Sequence, residues 1–243
     1  MHIYSNPILN QPTFTHHSTI NSTDDYEYYT TTMLFRDDLD WDGLMNLMRY
    51  KYKNTDKVNM ICHACSDGEE TYSLALKIKQ TFGKDSNKFL PIIAKDIDHD
   101  NIIRAKRGNY KVSGTEIERL EQHAGINLNK YFDILDNYMI YDKYAKPKDS
   151  LKQDICFKQG DILDDIKNIP KENTVLFCRN FIPYLPPKSQ ENLITQLGER
   201  LAPSSLLVLG EFDMRYDTPK LLSQNGFEQT DIKYVFQKKS NTE

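Results

Sequence analysis

Strand-like and helix-like segments alternate along most of this chain. Residues 57–64 are predicted to form a strand, and residues 89–94 form a second predicted strand that is short and apolar. Between them, residues 69–82 place Leu74, Ile78 and Phe82 at i, i+4 and i+8, which is typical of a helix with one apolar face. A strand, a helix and a second strand at this spacing form a right-handed unit with parallel strands. The chain is therefore predicted to be an α/β protein built on a parallel sheet.

The same alternation continues in the last third of the chain. Further strands are predicted at residues 174–178, 206–211, 227–230 and 233–238. Helices are predicted there at residues 189–201 and 218–223. Earlier in the chain, helices are also predicted at residues 37–50 and 98–106. Residues 1–29 are polar and show no periodicity, which predicts an irregular N-terminal arm ahead of one domain over residues 30–243.

One region interrupts the alternation. Ser113, Glu116 and Gly125 have the spacing of a helix cap, its capping-box partner and a helix stop. Two strand-like segments follow at residues 137–144 and 152–157, around a turn rich in Lys, Pro and Asp. We therefore predict a small helix-plus-hairpin insertion at about residues 111–158.

Charge and composition exclude several classes of function. The 243 residues carry 31 Lys+Arg and 35 Asp+Glu, a net charge of −4 without basic blocks. This argues against binding to nucleic acid phosphates. No apolar run approaches the roughly 20 residues that a membrane helix needs. The start lacks the pattern of a signal peptide, so a cytoplasmic protein is expected.

The four cysteines do not predict a metal site. Cys62 and Cys65 form a CxxC, but Cys156 and Cys178 are not spaced as a second ligand pair. We expect free thiols in buried strands of a reduced protein, and no bound metal.

Candidate ligand-binding residues follow the predicted strands. In an open parallel sheet, ligands bind beyond the carboxyl ends of the strands. Asp96 ends the second strand, where a carboxylate can accept hydrogen bonds from the hydroxyls of a ribose. The turn after the first strand has one glycine and two glutamates instead of GxGxxG, and acidic side chains there would repel a pyrophosphate. The pattern therefore favours a nucleoside ligand with a positive charge.

Four ordered motifs then resemble the chemotaxis receptor methyltransferase (CheR) family. Residues 64–75, ACSDGEETYSLA, are similar to its GCSTGEEPYSLA-like signature. Residues 94–98, AKDID, resemble its TDID stretch, with Ala105, Gly108 and Tyr110 following as in the family. Residues 177–184, FCRNFIPY, resemble its FCRNVLIYF segment, and residues 30–36, TTTMLFR, resemble its T..FFR element.

The resemblance implies a class I methyltransferase fold, Rossmann-like, that uses S-adenosylmethionine (SAM) and releases S-adenosylhomocysteine (SAH). It implies methyl transfer to a protein glutamate, with a chemoreceptor cytoplasmic region as the partner. About 30 residues precede the Thr30–Arg36 element, where the family normally has a helical domain. The match is thus to the catalytic domain without that N-terminal helical domain.

The resemblance also implies residue roles. Glu69 would contact the methionine amino end of SAM, and Asp96 the ribose. Asp161 and Ile162 would flank the adenine. The cofactor would further be enclosed by Thr30, Thr32, Arg36, Arg179 and Asn180. The catalytic residues would be Arg36, Arg179 and Tyr184, at the methyl group and its acceptor. The chain departs from the family pattern where Asp67 replaces Thr and Thr71 replaces Pro, and Pro183 and residues 185–187, LPP, alter the loop beside the acceptor.

The residue types agree with methyl transfer to a carboxylate. A glutamate, with a reference pKa of about 4.3, is already ionised at neutral pH, so no general base is required. Arginine can position a carboxylate through two parallel hydrogen bonds. Two alternatives stay open at this point: a SAM-dependent methyltransferase acting on another protein or a small molecule, and a SAM-binding regulatory module without turnover.

Overall fold

The chain divides into two units, Met1–Thr31 and Thr32–Glu243, which are described separately. The computed structural model describes residues 16–18, 28–30, 33–125, 128–137 and 142–240. In the first unit, β1 (His16–Ser18) pairs antiparallel with β2 (Tyr28–Thr30). The sequence predicted an irregular arm, because these polar residues lack the apolar alternation that marks a strand.

The second unit is built on two sheets. Its described strands are β3 (Asn59–His63), β4 (Ile92–Asp96), β5 (Tyr110–Val112), β6 (Phe132–Asn137), β7 (Asp142–Pro147), β8 (Ile155–Gln159), β9 (Thr174–Cys178), β10 (Leu206–Val208), β11 (Phe227–Gln229) and β12 (Val235–Lys238). Seven of them form the main sheet in the order β11-β12-β10-β9-β3-β4-β8. The five strands from β10 to β8 are parallel, and β12 is antiparallel to β10 and β11. The predicted α/β, Rossmann-like fold is confirmed by this mostly parallel sheet and the helices that connect its strands.

Helices cover both faces of the main sheet. The described α-helices of this unit are α1 (Trp41–Lys51), α2 (Glu69–Phe82), α3 (His99–Arg107), α4 (Gly114–Ala124), which belongs to the insertion, α5 (Asp149–Lys152), α6 (Ile162–Asp165), α7 (Pro187–Arg200) and α8 (Thr218–Gln224). Residues of β3 alternate between two apolar clusters, with Met60 beside α1 and α2 and Ile61 beside α7. Among the described residues, no helix has both the length and the apolar character to cross a membrane.

The insertion is smaller than predicted. Its helix α4 begins as expected, because the Ser113 Oγ accepts a hydrogen bond from the Glu116 amide at 3.1 Å. Its three strands form an antiparallel sheet in the order β5-β7-β6. The assignment of residues 152–157 to this hairpin is wrong, since β8 pairs with β4 in the main sheet. A short apolar run predicts a strand, but it does not identify the strand's partner.

The path of the chain creates a crevice beside β3. From β3 the chain moves outward through β4 to β8, and then returns to the other side of β3 as β9. Such a reversal opens a ligand-binding crevice at the carboxyl ends of the strands. The register pairs His63 with Lys95 on one side and with Cys178 on the other. The residues that follow these three positions therefore meet at one edge of the sheet.

Candidate functional site

The loop from β3 to α2, residues 64–68, has an unusual backbone. Ala64, Ser66 and Gly68 have φ values of +54°, +49° and +91°. A Cβ atom on Gly68 would lie 3.0 Å from that of Ala105, so the close approach of α3 also favours glycine there. Left-handed conformations of other residues cost about 1–3 kcal/mol each and cluster at functional sites. The loop is thus a candidate binding element.

Asp96 lies beside this loop at the end of β4 and is 6% exposed. Its Oδ2 accepts from the Ser66 amide at 2.7 Å, and its Oδ1 accepts from the Asp98 amide at 2.9 Å and from Asn101 Nδ2 at 3.1 Å. Burial raises the pKa of Asp96, although these three donors act in the opposite direction. A carboxylate has about four acceptor positions, so Oδ2 retains one for a ligand hydroxyl.

Arg179 directly follows β9, and its side chain is only 1% exposed. Its Nη2 donates to Asp38 Oδ1 at 2.5 Å, its Nη1 donates to Glu70 Oε2, and its Nε donates to the Leu209 carbonyl at 3.2 Å. Burial works against the charge, but the Glu70 and Asp38 carboxylates outweigh it and raise the pKa of Arg179. The sequence predicted an arginine facing the acceptor. The structure instead encloses the guanidinium among groups of the protein.

Asp38 connects this arginine to the next loop. Its Oδ2 accepts from the Glu211 amide at 3.0 Å. Burial opposes ionisation of Asp38, but the Arg179 guanidinium and the Glu211 amide lower its pKa below the usual value. The cluster of Asp38, Glu70 and Arg179 thus joins the segment before α1, the start of α2 and the strand ends of β9 and β10.

A second buried carboxylate organises the loop after β9. Asp213 is 0% exposed, and its two oxygens accept hydrogen bonds from four backbone amides. Oδ1 accepts from the Phe181 and Ile182 amides, each at 2.9 Å. Oδ2 accepts from the Gly210 amide at 2.8 Å and also from the Asn180 amide. Burial raises the pKa of Asp213 to about 6, against the effect of the amides. This carboxylate therefore fixes the backbone of the loop that carries the predicted site residue Asn180.

Asn180 and Tyr184 occupy the two ends of that loop. Asn180 has a φ of +61°, and its Oδ1 accepts from the Phe212 amide at 3.3 Å. A Cβ atom on Gly210 would lie 2.1 Å from that Oδ1, so a larger residue there would displace the Asn180 amide. The half-buried Tyr184 ring lies 5.2 Å from the ring of Phe212, centroid to centroid. Tyr184 is thus positioned by packing while part of it stays accessible.

The predicted adenine-flanking residues follow β8. Asp161 caps α6, because its Oδ1 accepts from the Leu163 amide at 2.9 Å. Ile162 is 7% exposed and packs in the cluster beside α7. Both residues lie at the same sheet edge as Asp96, since Asp96 pairs with Gln159 in the register of β4 and β8.

The remaining predicted residues lie toward the N-terminus. Thr30 ends β2 in the first unit, and Thr32 lies outside the described residues. Arg36 is half-buried in the second unit, in a segment held to α2 by the Phe35 amide, which donates to Ser73 Oγ at 2.9 Å. The Arg36 carbonyl accepts from Trp41 Nε1 at 3.2 Å. Arg36 thus lies in the same anchored segment as Asp38, two residues before it.

Sequence reasoning missed three residues of this site. Asp38 lies just beyond the quoted T..FFR-like element, and Asp213 lies in no quoted motif, so neither gave a signal. Glu70 is part of the first motif, but nothing local shows that it pairs with an arginine 109 positions away. Their roles depend on contacts between distant segments.

The four cysteines are free thiols. Cys62 and Cys178 are buried in β3 and β9 as predicted, whereas Cys156 in β8 is half-buried and Cys65 is buried in the loop after β3 and not in a strand. Within the described part of the chain, no three His, Cys, Asp or Glu side chains are grouped so that they could hold a metal ion.

The residues present fit the expected cofactor. Ser66 Oγ and Asp98 Oδ2 are buried and have no hydrogen-bond partner among the described residues. Both belong to the segments that follow β3 and β4, next to the acceptor position on Asp96. Buried polar atoms without partners are unfavourable unless a ligand or water satisfies them. A nucleoside with hydroxyl and amino groups would supply such partners.

Comparisons with known proteins point to one family. Residues 30–227 match the family model described as CheR methyltransferase, SAM binding domain. The chemotaxis protein methyltransferase of Borreliella burgdorferi is 27% identical over 186 residues, which cover 74% of this chain and 62% of that protein. The protein of the same description from Salmonella typhimurium is 26% identical over 172 residues, covering 67% of this chain and 57% of its own length. The chain thus spans less than two thirds of these relatives.

Proposed function

Since this chain belongs to the CheR methyltransferase family, we propose that it transfers the methyl group of SAM to glutamate carboxylates of a chemoreceptor. The observation that carries the proposal is the buried Asp96 carboxylate, with one acceptor position left, at the switch point of the sheet. The curated relatives, described as chemotaxis protein methyltransferases, support the same substrate.

The proposed mechanism needs positioning and exclusion of water more than proton transfer. When bound, SAM supplies an electrophilic methyl group on a sulfonium. Asp96 would accept from a ribose hydroxyl, and Glu69 at the start of α2 would bind the amino end. The acceptor glutamate is already ionised near pH 7, so the residues around it must orient an oxygen in line with the methyl group. Arg36 and Tyr184 are the residues we propose for this task.

The other predicted residues complete the proposed site. Arg179 acts as a positioning residue, because its donors hold Asp38 and Glu70. Asp161, Ile162 and Asn180 enclose the nucleoside. The proposed partner is the cytoplasmic region of a chemoreceptor, which places the enzyme in the cytoplasm.

Replacing Asp96 by alanine tests the cofactor site. We expect SAH binding to weaken by about 1.5–3 kcal/mol, the range of a hydrogen bond to a charged group. Isothermal titration calorimetry measures the dissociation constant directly. Asp100→Ala, in the first turn of α3 and exposed, serves as the control and should leave affinity unchanged. Undiminished affinity in Asp96→Ala would remove this residue from the site.

The chemistry of the product tests the acceptor. Incubation with methyl-labelled SAM and a chemoreceptor cytoplasmic fragment should give a protein whose label is released as methanol in mild base, as expected of a methyl ester. Because a carboxylate nucleophile is ionised throughout, kcat/KM should not rise between about pH 7 and 9. An amine or phenol acceptor would instead give a rate that climbs with pH and a base-stable product. Tight SAM binding without any turnover would point to a regulatory module.

A further inference from the structure

A chain of polar side chains connects α3 to the proposed ribose-binding carboxylate. The Nε of Arg104 donates to Asp67 Oδ1 at 2.8 Å, and its Nη2 donates to Asn101 Oδ1. The Nδ2 of Asn101 in turn donates to Asp96 Oδ1 at 3.1 Å. The four residues come from the loop after β3, from the end of β4 and from α3. This series of hydrogen bonds therefore links the three elements on the side of the fold where the cofactor is proposed to bind.

Arg104 determines which end of the Asn101 amide faces Asp96. A guanidinium has only donors, so it can bond only to the amide oxygen. With Oδ1 held by Arg104, the Nδ2 of Asn101 is turned toward the Asp96 carboxylate, which only accepts. Asn101 is 2% exposed, so water does not replace either partner easily.

Asp67 holds Arg104 in the orientation that this requires. The pair is partly exposed, with side-chain exposures of 31% for Arg104 and 21% for Asp67. The backbone of Asp67 is itself anchored, since its carbonyl accepts from the Tyr110 hydroxyl at 2.8 Å. The guanidinium therefore has a fixed carboxylate on one side and a buried amide on the other.

We propose that Arg104 is a positioning residue for ribose recognition, acting through Asn101 on the Asp96 carboxylate. With Oδ1 of Asp96 occupied by Asn101 and the Asp98 amide, and Oδ2 bonded to the Ser66 amide, the remaining acceptor position is on Oδ2 and its direction is fixed. Asp67 and Arg104 thereby set the geometry in which Asp96 meets a ribose hydroxyl. This inference rests on the proposed function, because it requires SAM or SAH at Asp96.

The test compares two ligands in calorimetric titrations. Arg104→Met keeps the aliphatic stem and removes the donors. We expect it to weaken SAH binding by about 5- to 20-fold, as for the loss of a polar contact that orients a charged acceptor. A 2′,3′-dideoxy analogue of SAH lacks the hydroxyls, so the variant should bind it within about twofold of the wild type. Equal losses for both ligands, or no loss for either, would overturn the proposal.

Three further variants separate positioning from general effects on the fold. Lys106→Met removes an exposed cation from the same helix and should leave both affinities unchanged. Asn101→Ala should weaken SAH binding, and Arg104→Met added to it should cause no further loss, because Arg104 acts through that amide. If the losses of SAH affinity from Asn101→Ala and Arg104→Met were fully additive, Arg104 would not act through Asn101, and the proposal would be contradicted. If Arg104→Met does not fold, Asp67→Ala removes the acceptor that holds the same guanidinium, and this variant is tested with the same two ligands.

The outcomes distinguish this inference from the proposed function. A wild-type protein that binds neither SAM nor SAH would contradict the proposed cofactor site. A wild-type protein that binds SAH normally, with an Arg104→Met variant that binds it equally well, would contradict only the role of Arg104.

Discussion

Replacing Arg179 by methionine is expected to lower the free energy of unfolding by about 3–5 kcal/mol at pH 7, the cost of leaving buried charges unpaired. The variant keeps the volume of the stem but removes the guanidinium to which Asp38 and Glu70 are both bonded. Each of these carboxylate side chains is only 17% exposed. Urea denaturation followed by circular dichroism measures the loss, which is a large part of the roughly 5–15 kcal/mol that stabilises a typical domain.

An exposed ion pair provides the matched control. Lys143 and Asp136 lie 2.7 Å apart with side-chain exposures of 39% and 52%. Lys143→Met should cost no more than about 1 kcal/mol, since exposed pairs contribute little. If Arg179→Met and Lys143→Met lower the free energy of unfolding by the same amount, burial does not determine how much the Arg179 cluster contributes to stability.

A neutralised cluster shows whether the loss comes from the unpaired carboxylates. Adding Asp38→Asn and Glu70→Gln to Arg179→Met removes both negative charges at nearly constant volume. We expect this triple variant to recover at least half of the lost stability, because neutral groups are cheaper to bury than charged ones. A triple variant as unstable as Arg179→Met alone would contradict this explanation.

The pH dependence of the Arg179→Met effect follows from the lowered pKa of Asp38. A carboxylate whose pKa is lower in the folded state contributes stability that is present above its unfolded pKa, about 3.9. That contribution is lost as the pH falls through the folded pKa. The difference in unfolding free energy between wild type and Arg179→Met should therefore be constant above about pH 5 and shrink in more acidic solution.

The second large effect is expected for Asp213→Asn. The carboxylate accepts four backbone amides, two on each oxygen. An asparagine has one acceptor oxygen, and in either orientation its NH₂ group faces two backbone donors. Each buried donor left without an acceptor costs about 1–3 kcal/mol, so a loss of about 3 kcal/mol or more is expected. Asp217→Asn, an exposed neighbour without a side-chain cap bond, should have no measurable effect.

Activity should respond to Asp213 as well. Loss of its acceptors releases the loop that carries Asn180 and Tyr184, so kcat should fall more than SAH affinity. An Asp213→Asn enzyme with normal kcat would show that this loop is held by other contacts.

Protonation of Asp213 also has a defined sign in stability. Its folded pKa lies above the unfolded value, so its protonation favours the folded state. From this group alone, stability is highest below about pH 4 and is lost as the pH rises through about 6. Asp213→Asn cannot titrate at this position. The stability that the variant lacks relative to wild type should therefore shrink as the pH rises from about 4 to about 6.

Local patterns determined much of this protein. The helix of residues 69–82 and the strand of residues 174–178 were predicted with the same bounds that the structure has. The cap of α4 at Ser113 and the position of Asp96 at a strand end were also predicted. Each of these features depends on residues that are near neighbours in the chain, so periodicity, capping chemistry and a short motif are enough to identify it.

Contacts between distant segments were decided only in three dimensions. Nothing near residues 152–157 shows that β8 pairs with β4, because a buried strand of either sheet has the same apolar pattern. The surroundings of Arg179 depend on Asp38, 141 residues away, and on Glu70, 109 residues away. Asp213 acquires three of its four amides from a loop that begins 33 residues earlier. A charged side chain in the sequence predicts solvent exposure, and only the packed fold provides the partners that let these charges be buried.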